Sequence, residues 1–451
     1  MADVKKNKKN GQGASATPRK LAVDSLVKWE KMGKYAGLEA AATLERDVLR
    51  GADRGLYSAI VYGVVERAVT LDHIIDEYSS TPAAKLEPIV RAVLRVGLYQ
   101  LLFMDKIPDH AAVSESVGLV PKRAAGLVNG VLRSFLRGNK SYTLPDRDKD
   151  VAEYFSIKYS VPSEMCRFFI DAYGEADAEG ILSSSFGGDR LCLRVNTLKC
   201  SVEDAVAKLT SMGTECRVSE IVPHVIVTSG AQFFEGIDEG IWFVQDEASA
   251  AAVATLAPES GASVIDLCAA PGGKSFGCAI TMENKGQVRS FDIHENKLSL
   301  IRDGAKRLGI DIISAAVGDG KAPAEELYES ADFVVCDAPC SGLGVFSKKP
   351  DIRYKSVSEI AGLPKVQYDI LCGAAKCVRS GGVLMYSTCT LNPAENEDVF
   401  NRFLAEHPDF EAVPFELCGE GKDGYATLMP HKTGTDGFFI SKLRKCQSGT
   451  F

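Results

Sequence analysis

From about Gln245 to the C-terminus the sequence alternates short apolar runs with helical stretches, and a chain patterned this way has few ways to fold. The runs are 263–268, 287–292, 313–317, 332–336, 382–387 and 437–443. Between the second and third, Leu298, Ile301, Ala305 and Leu308 recur on one helical face. Such alternation predicts a mostly parallel sheet with helices on both faces. Ligands then bind beyond the C-terminal strand ends, at the topological switch point. The unusual residues of this chain collect at those ends.

After the first run comes a glycine-rich turn, Asp266-Leu-Cys-Ala-Ala-Pro-Gly-Gly-Lys274-Ser275. Gly273-Lys274-Ser275 matches the end of a phosphate-binding P-loop, but the required first glycine falls at position 268, which is Cys. The dinucleotide fingerprint G-x-G-x-x-G is absent as well. What survives is a tight turn that lets backbone approach a ligand at a helix N-terminus. Asp266, Asp292, Asp319 and Asp337 close the first four predicted strands. One such aspartate is ordinarily a turn or helix cap. Four in strand-end register instead suit a nucleoside carrying positive charge, such as the sulfonium of S-adenosylmethionine, with the second on ribose hydroxyls.

Two of the thirteen cysteines share this edge: Cys340 in Asp-Ala-Pro-Cys-Ser and Cys389 in Tyr-Ser-Thr-Cys-Thr. A free cysteine is far more often a small buried hydrophobe than a nucleophile, and an ordinary thiol, with a pKa near ~8.5, is only a few per cent ionised at neutral pH. Shared location beside the glycine-rich turn points to covalent chemistry on a group brought by a cofactor. Which thiol attacks is open on the residues alone. The odd number of cysteines and the lack of any Cys-x-x-Cys pair predict reduced thiols in a cytoplasm, with neither disulfides nor a metal site.

Upstream, residues 1–17 read as a disordered tail, basic and polar with no apolar core characteristic of a secretory signal. Residues 18–140 read as an all-α domain. Leu21, Leu26 and Trp29 start one apolar stripe, 54–67 carry a second, 86–104 are apolar nearly all round, and 124–137 form a last helix. Residues 141–245 read as a linker and helices leading into a small α+β module, with strands at 191–195, 222–227 and 241–244 and a helix at 202–212. Residues 246–451 hold the parallel-sheet domain. No window approaches the eighteen or so uncharged apolar residues of a membrane span. Net charge is −8, yet residues 1–140 carry 22 Lys+Arg against 15 Asp+Glu, and the remainder 30 against 45. A basic first domain on an acidic body predicts nucleic acid as the partner of the first domain. Nothing demands more than a monomer.

The motifs together carry a resemblance. DLCAAPGGKS, CDAPCSGLGV and YSTCTLNPAENE resemble those of the RNA cytosine-5 methyltransferases, and the whole chain is similar to the RsmB/Sun/Fmu type, which methylates small-subunit ribosomal RNA. LRVNTLK, VQDEAS, KPDIRY and DGFFISKL support the match. The segments ADRGLYSAIVYGVVER, VLRVGLYQLLFM, IPDHAAVSESV and VNGVLRSFLR resemble the antitermination factor NusB. The resemblance spans roughly residues 18–445. It implies a NusB-like α bundle, a ferredoxin- or RRM-like α+β module and a Rossmann-like class I methyltransferase domain.

The resemblance also implies roles. Cys268, Ala269, Ala270, Pro271, Gly272, Gly273 and Lys274 would hold S-adenosylmethionine, with Asp292 on the ribose, Asp319 near the adenine and Asp337 also in the cofactor set. Cys389 would add to cytosine C6, Asp337 would hold the N3/N4 edge, and Cys340 would assist release of Cys389. In the DNA cytosine-5 enzymes the attacking thiol is instead the one in the Pro-Cys motif, whose counterpart is Cys340. Two thiols and the YSTCT context assign Cys389 here. Arg194, Asn196, Lys349 and Arg353 are the RNA-contact candidates, and the RNA is small-subunit rRNA or an assembly intermediate. Two rivals stand against the resemblance, a P-loop-type NTPase and a NusB-like RNA-binding or antitermination factor without catalysis. The first fails at Cys268. The second leaves the thiols and cofactor turn without purpose.

Overall fold

The computed structural model describes residues 17–33, 36–46, 48–186, 190–229 and 233–447. The tail expected over 1–17 lies outside them, Thr17 excepted. The chain divides into two units, Met1–Cys166 with Lys349–Asp351, and Arg167–Lys348 with Ile352–Phe451.

The first unit is helical. Thr17 caps its opening helix, Pro18–Met32, by accepting from Lys20 N, and Gly33 ends that helix in the left-handed region. Helix Pro88–Phe103 is buried along most of its length and packs against Pro18–Met32, Ala52–Tyr78, Asp109–Gly118 and Lys122–Arg137. That is the central helix expected from its all-round apolar pattern. Gly97 allows the close approach, since a Cβ there would lie 2.8 Å from Leu132 Cδ1. The one charge on its buried face, Arg95, pairs with both oxygens of Asp72, at 2.7 and 2.5 Å. Helix Val151–Tyr159 also belongs here rather than with the module that follows, because Thr70 Oγ1 donates to Ile157 O at 2.7 Å.

The second unit holds two sheets. The small one is antiparallel, built from β1 (Arg190–Val195), β2 (Glu215–Val218), β3 (Val225–Ser229) and β4 (Trp242–Val244) in the order β2-β3-β1-β4. Strand period two divides β1 cleanly. Leu193 and Val195 pack with Ile226, Trp242 and helix Val202–Ser211, whereas Cys192 faces the other way, into the core of the large sheet with Val225 and Phe243. β2 was not expected from sequence; it is four residues long and mostly exposed, so it lacks an apolar signature.

The large sheet comprises β5 (Ser263–Asp266), β6 (Gln287–Asp292), β7 (Ile313–Val317), β8 (Ala331–Asp337), β9 (Val378–Thr388), β10 (Phe410–Ala412), β11 (Tyr425–Leu428) and β12 (Phe438–Lys445). Its order is β10-β12-β9-β8-β5-β6-β7, with β11 paired to β12. β5 to β9 run parallel, and β9 pairs antiparallel with β12. Val264 and Met385 face one core while Ile265 and Leu384 face the other, so helices cover both sides as expected. The chain first builds outward from β5 through β6 to β7, then returns to place β8 and β9 on the other side. The switch point therefore lies between the C-terminal ends of β5 and β8. β9 begins four residues earlier than expected: Val378 pairs with Ala331, and after an irregularity that takes in Gly381 and Gly382 the ladder resumes with Val383 opposite Phe333.

Candidate active site

β5 ends at Asp266, and its turn leads into helix Gly273–Thr281. Gly272 has φ +113°, and a Cβ there would lie 2.4 Å from the Phe276 ring. Only glycine fits. The turn walls a cavity of about 190 Å³ lined by Cys268, Ala269, Ala270, Pro271, Gly273, Lys274 and Asp337 from the expected set, together with Val244, Gln245, Asp246, Ser249 and Asp266. Gly272, Asp292 and Asp319 do not line it. Asp292 ends β6 and accepts from His294 N at 2.9 Å. Asp319 lies two residues past β7 rather than closing it, exposed, with its carboxylate accepting from Lys321 N at 3.0 Å.

Asp266 is 1% exposed and accepts from Ser275 Oγ at 2.7 Å, which in turn accepts from Ser290 Oγ at 2.8 Å. Burial pushes its carboxyl up to about 7 against the Ser275 hydrogen bond, and the Asp337 charge adds to the rise. Between the unfolded carboxyl pKa near ~3.9 and this value, the folded protein keeps a proton that the unfolded chain has lost. The stabilisation is whole below that lower pKa and is lost as pH climbs to about 7. Denaturant midpoints between pH 4 and 7 should therefore fall less steeply in Asp266→Asn than in the parent. The group's contribution over that window is at most roughly 4 kcal/mol. Parallel curves for the two proteins would refute the assignment.

β8 and β9 deliver the two thiols. Asp337 and Ser387 are register partners, so the loops leave the sheet side by side. Cys340 Sγ and Cys389 Sγ lie 3.3 Å apart, and all thirteen cysteines are free. The hydrogen bond with Cys389, then burial and the charges of Cys389, Glu395 and Asp337, push the Cys340 thiol well up. Burial also raises Cys268 and Cys336, so neither is an activated thiol. Asp337 is held at both oxygens, by Ser387 Oγ at 2.7 Å and Lys274 Nζ at 2.6 Å. Lys274 also donates to Ser249 Oγ at 3.1 Å. The candidates Asp337, Lys274, Cys340 and Cys389 thus meet at adjoining strand ends, where acid, base and nucleophile chemistry can act on one bound group.

Three of the four RNA-contact candidates turn inward. Arg194 shares the Cys192 face of β1 and is 3% exposed, donating to Gln245 Oε1, Gly277 O and Thr281 Oγ1, each at 3.3 Å. Burial lowers its guanidinium to about 10. Asn196 is fully buried and donates to Gly240 O and Leu308 O. Arg353 is fully buried, donating to Ser185 O at 3.1 Å near the rings of Phe186 and Phe346. These side chains brace the unit rather than present open donors to a polyanion. Lys349 is exposed. Its neighbour Lys348, which sequence reasoning passed over, bridges Asp246 at 2.5 Å and Asp436 at 2.6 Å. Burial first, then the Asp246 charge, raises Asp436 to about 6. The quoted VQDEAS segment held the missed cavity residues Gln245, Asp246 and Ser249. Among the described residues, no His/Cys/Asp/Glu cluster could hold a metal, and no helix is long and apolar enough to cross a membrane.

Comparison with known proteins agrees with this domain architecture. Residues 253–444 match the family model for 16S rRNA methyltransferase RsmB/F, residues 16–137 the NusB family, and residues 162–232 the RsmF/B-like ferredoxin-like domain. A probable ribosomal RNA small subunit methyltransferase B from Bacillus subtilis (strain 168) is 36% identical over 447 residues, covering 95% of this chain and 98% of that one. A counterpart from Synechocystis is 33% identical, covering 95% and 99%. The crystal structure of PH0851 superposes with a TM-score of 0.76 at 31% identity, covering 95% of this chain and 99% of that one.

Proposed function

The chain belongs to the RsmB/F family of 16S rRNA methyltransferases, and from that premise we propose that it methylates C5 of a cytosine in small-subunit rRNA through a covalent Cys389 adduct. The observation that carries the reading is the pair of thiols 3.3 Å apart at adjacent strand ends, beside the Asp337–Lys274 ion pair.

The cavity residues fit S-adenosylmethionine. A Cβ on Gly273 would reach to 3.4 Å from the Gln245 amide across the cradle, and the lining carries the carboxylates Asp246 and Asp337, with Asp266 holding its proton up to about 7, against one cation, Lys274. A sulfonium suits that imbalance; a phosphate does not. Cys268–Lys274 would hold the ligand, with Asp292 toward the ribose and Asp319 toward the adenine. When bound, S-adenosylmethionine supplies an electrophilic methyl group.

The protein's own groups then act on the base. Aromatic C5 is a poor nucleophile until the ring is broken by addition, so Cys389 gives up its thiol proton to solvent, its Sγ bonds to C6, and the C5–C6 π bond opens to place its electron pair on C5 in conjugation with N3. Asp337, fixed by Ser387 and Lys274, accepts from the N4 amino group and so orients the N3/N4 edge where charge develops, with the Lys274 ammonium behind it. After the C5 proton is lost, the C6–S bond breaks, and the Cys340 S–H is placed to meet the departing Cys389 sulfur. A cytosine can reach this cleft only when unstacked, which favours a loop or junction over a continuous duplex. The basic first unit is the RNA platform, with Lys349 as an open contact. Thirteen free thiols suit the reducing cytoplasm where ribosomes assemble.

The test is 5-methylcytosine mapping of small-subunit rRNA with and without the protein, followed by methylation of naked rRNA and of assembly intermediates by the purified chain. One cytosine is expected to lose its mark. A map unchanged by removal of the protein would overturn the reading.

A further inference from the structure

Both cysteine loops converge on a carboxylate that the chemistry above leaves without a role. Glu395 is fully buried. Its Oε2 accepts from Ser341 N at 2.9 Å and Gln367 Nε2 at 2.7 Å, and its Oε1 accepts from Asn392 Nδ2 at 2.9 Å. Ser341 directly follows Cys340, and Asn392 lies three residues past Cys389. The Glu395 carbonyl accepts from the hydroxyl of Tyr386, three residues before Cys389. Gln367 Nε2 also donates to Pro339 O at 3.1 Å, one residue before Cys340. Beside this hub, Ser341 Oγ and Thr390 Oγ1 lie 2.6 Å apart, and Asn396 bonds both Thr388 Oγ1 and Thr390 O, the immediate flanks of Cys389.

A buried carboxylate bonded only by neutral donors is costly to retain. Simple packing does not call for one here. A planar acceptor with two oxygens can, however, tie two chain segments together at a fixed separation. We propose that Glu395 is a positioning residue that sets the distance between the Cys340 and Cys389 sulfurs by clamping their loops to one carboxylate. This rests on reading the two thiols as the attacking and releasing groups. Each loop has left the β8–β9 ladder, whose last pair is Asp337 with Ser387, and beyond it a backbone bond, Gly344 N to Cys389 O at 3.1 Å, joins the loops beside the Glu395 carboxylate. Reactive sulfur geometry is sensitive to sub-ångström error, and a 1 Å displacement costs about 100-fold in rate.

Glu395→Gln keeps the shape and breaks the pattern. Whichever way its amide turns, an NH2 faces either the Ser341 and Gln367 donors or the Asn392 donor. Two readouts on the full chain test the clamp. The first is pairing of Cys340 with Cys389 by glutathione disulfide, which joins the two sulfurs as it is reduced to two glutathione thiols, followed by mass spectrometry of the linked peptides. The second is turnover on rRNA beside S-adenosylmethionine affinity by calorimetry. Glu395→Gln is expected to slow pairing and to lower kcat by about 10–100-fold. Cofactor affinity should be unchanged, because Glu395 does not line the cavity. Pairing at the parent rate overturns the proposal, whatever the activity. Slower pairing with parental kcat leaves the clamp standing and overturns the catalytic reading of the thiols. Gln367→Met, which removes one donor and keeps the carboxylate, should act in the same direction by less; it serves if Glu395→Gln does not fold, and unchanged pairing in it overturns the clamp.

Discussion

Cys389→Ala is expected to lower methyl transfer by about 10⁴-fold or more and to leave no covalent protein–RNA species on a denaturing gel, as loss of a nucleophile does. Cys340→Ala should do the opposite on the gel, holding RNA as a stable adduct while turnover falls. The asymmetry follows from the pair's surroundings. Cys340 is kept protonated by its hydrogen bond to Cys389, by burial and by the charges of Glu395 and Asp337. A thiol held in that form is a poor nucleophile and a good donor of its S–H to the sulfur 3.3 Å away. Persistence of the adduct in Cys389→Ala would exchange the two roles.

Asp337→Asn is the second large effect, with kcat expected to fall by about 100–1000-fold, the range for loss of one electrostatic stabiliser. It should also destabilise the fold. Lys274 has 8% of its side chain exposed and would be left with no carboxylate opposite. Removing one partner of a buried pair costs about 3–5 kcal/mol. The lower end applies here, since the Asp337 side chain is 32% exposed. The double variant Asp337→Asn, Lys274→Met separates the two effects: the melting temperature should recover while turnover stays low. Turnover recovering with stability would reduce Asp337 to a structural partner of Lys274. Parental kcat in the single variant would remove it from the chemistry altogether.

What could be read from the sequence was what local pattern encodes. The apolar runs of β5 and β8 stop abruptly at Asp266 and Asp337, whereas β6, with Gln287, Arg289 and Ser290, is marked by its place between two helical stretches, with Asp292 at its end. β10 and β11, three and four residues long, made no comparable signal. Arg194 could have been placed better, because period two along β1 puts it beside Cys192, away from Leu193 and Val195. Asn196 and Arg353 bond to backbone carbonyls far along the chain, Leu308 and Ser185, which no local pattern announces. The same holds for Lys348 between Asp246 and Asp436, and for Glu395, whose donors span residues 341 to 392.

Arg194 has one more consequence, for how such a chain can be recombined. Its guanidinium reaches from the small antiparallel sheet to the helix that follows the cofactor turn, and Gly277 is a glycine where any Cβ would stand 2.5 Å from Arg194 Nη1. The two parts are keyed to each other here, as they are at Asn196 and in the shared core around Cys192 and Phe243. A graft that exchanges residues 190–244 for those of a relative must therefore bring along a matching helix Gly273–Thr281, although the two segments look separable in sequence. The arginine and the glycine it covers must be exchanged together.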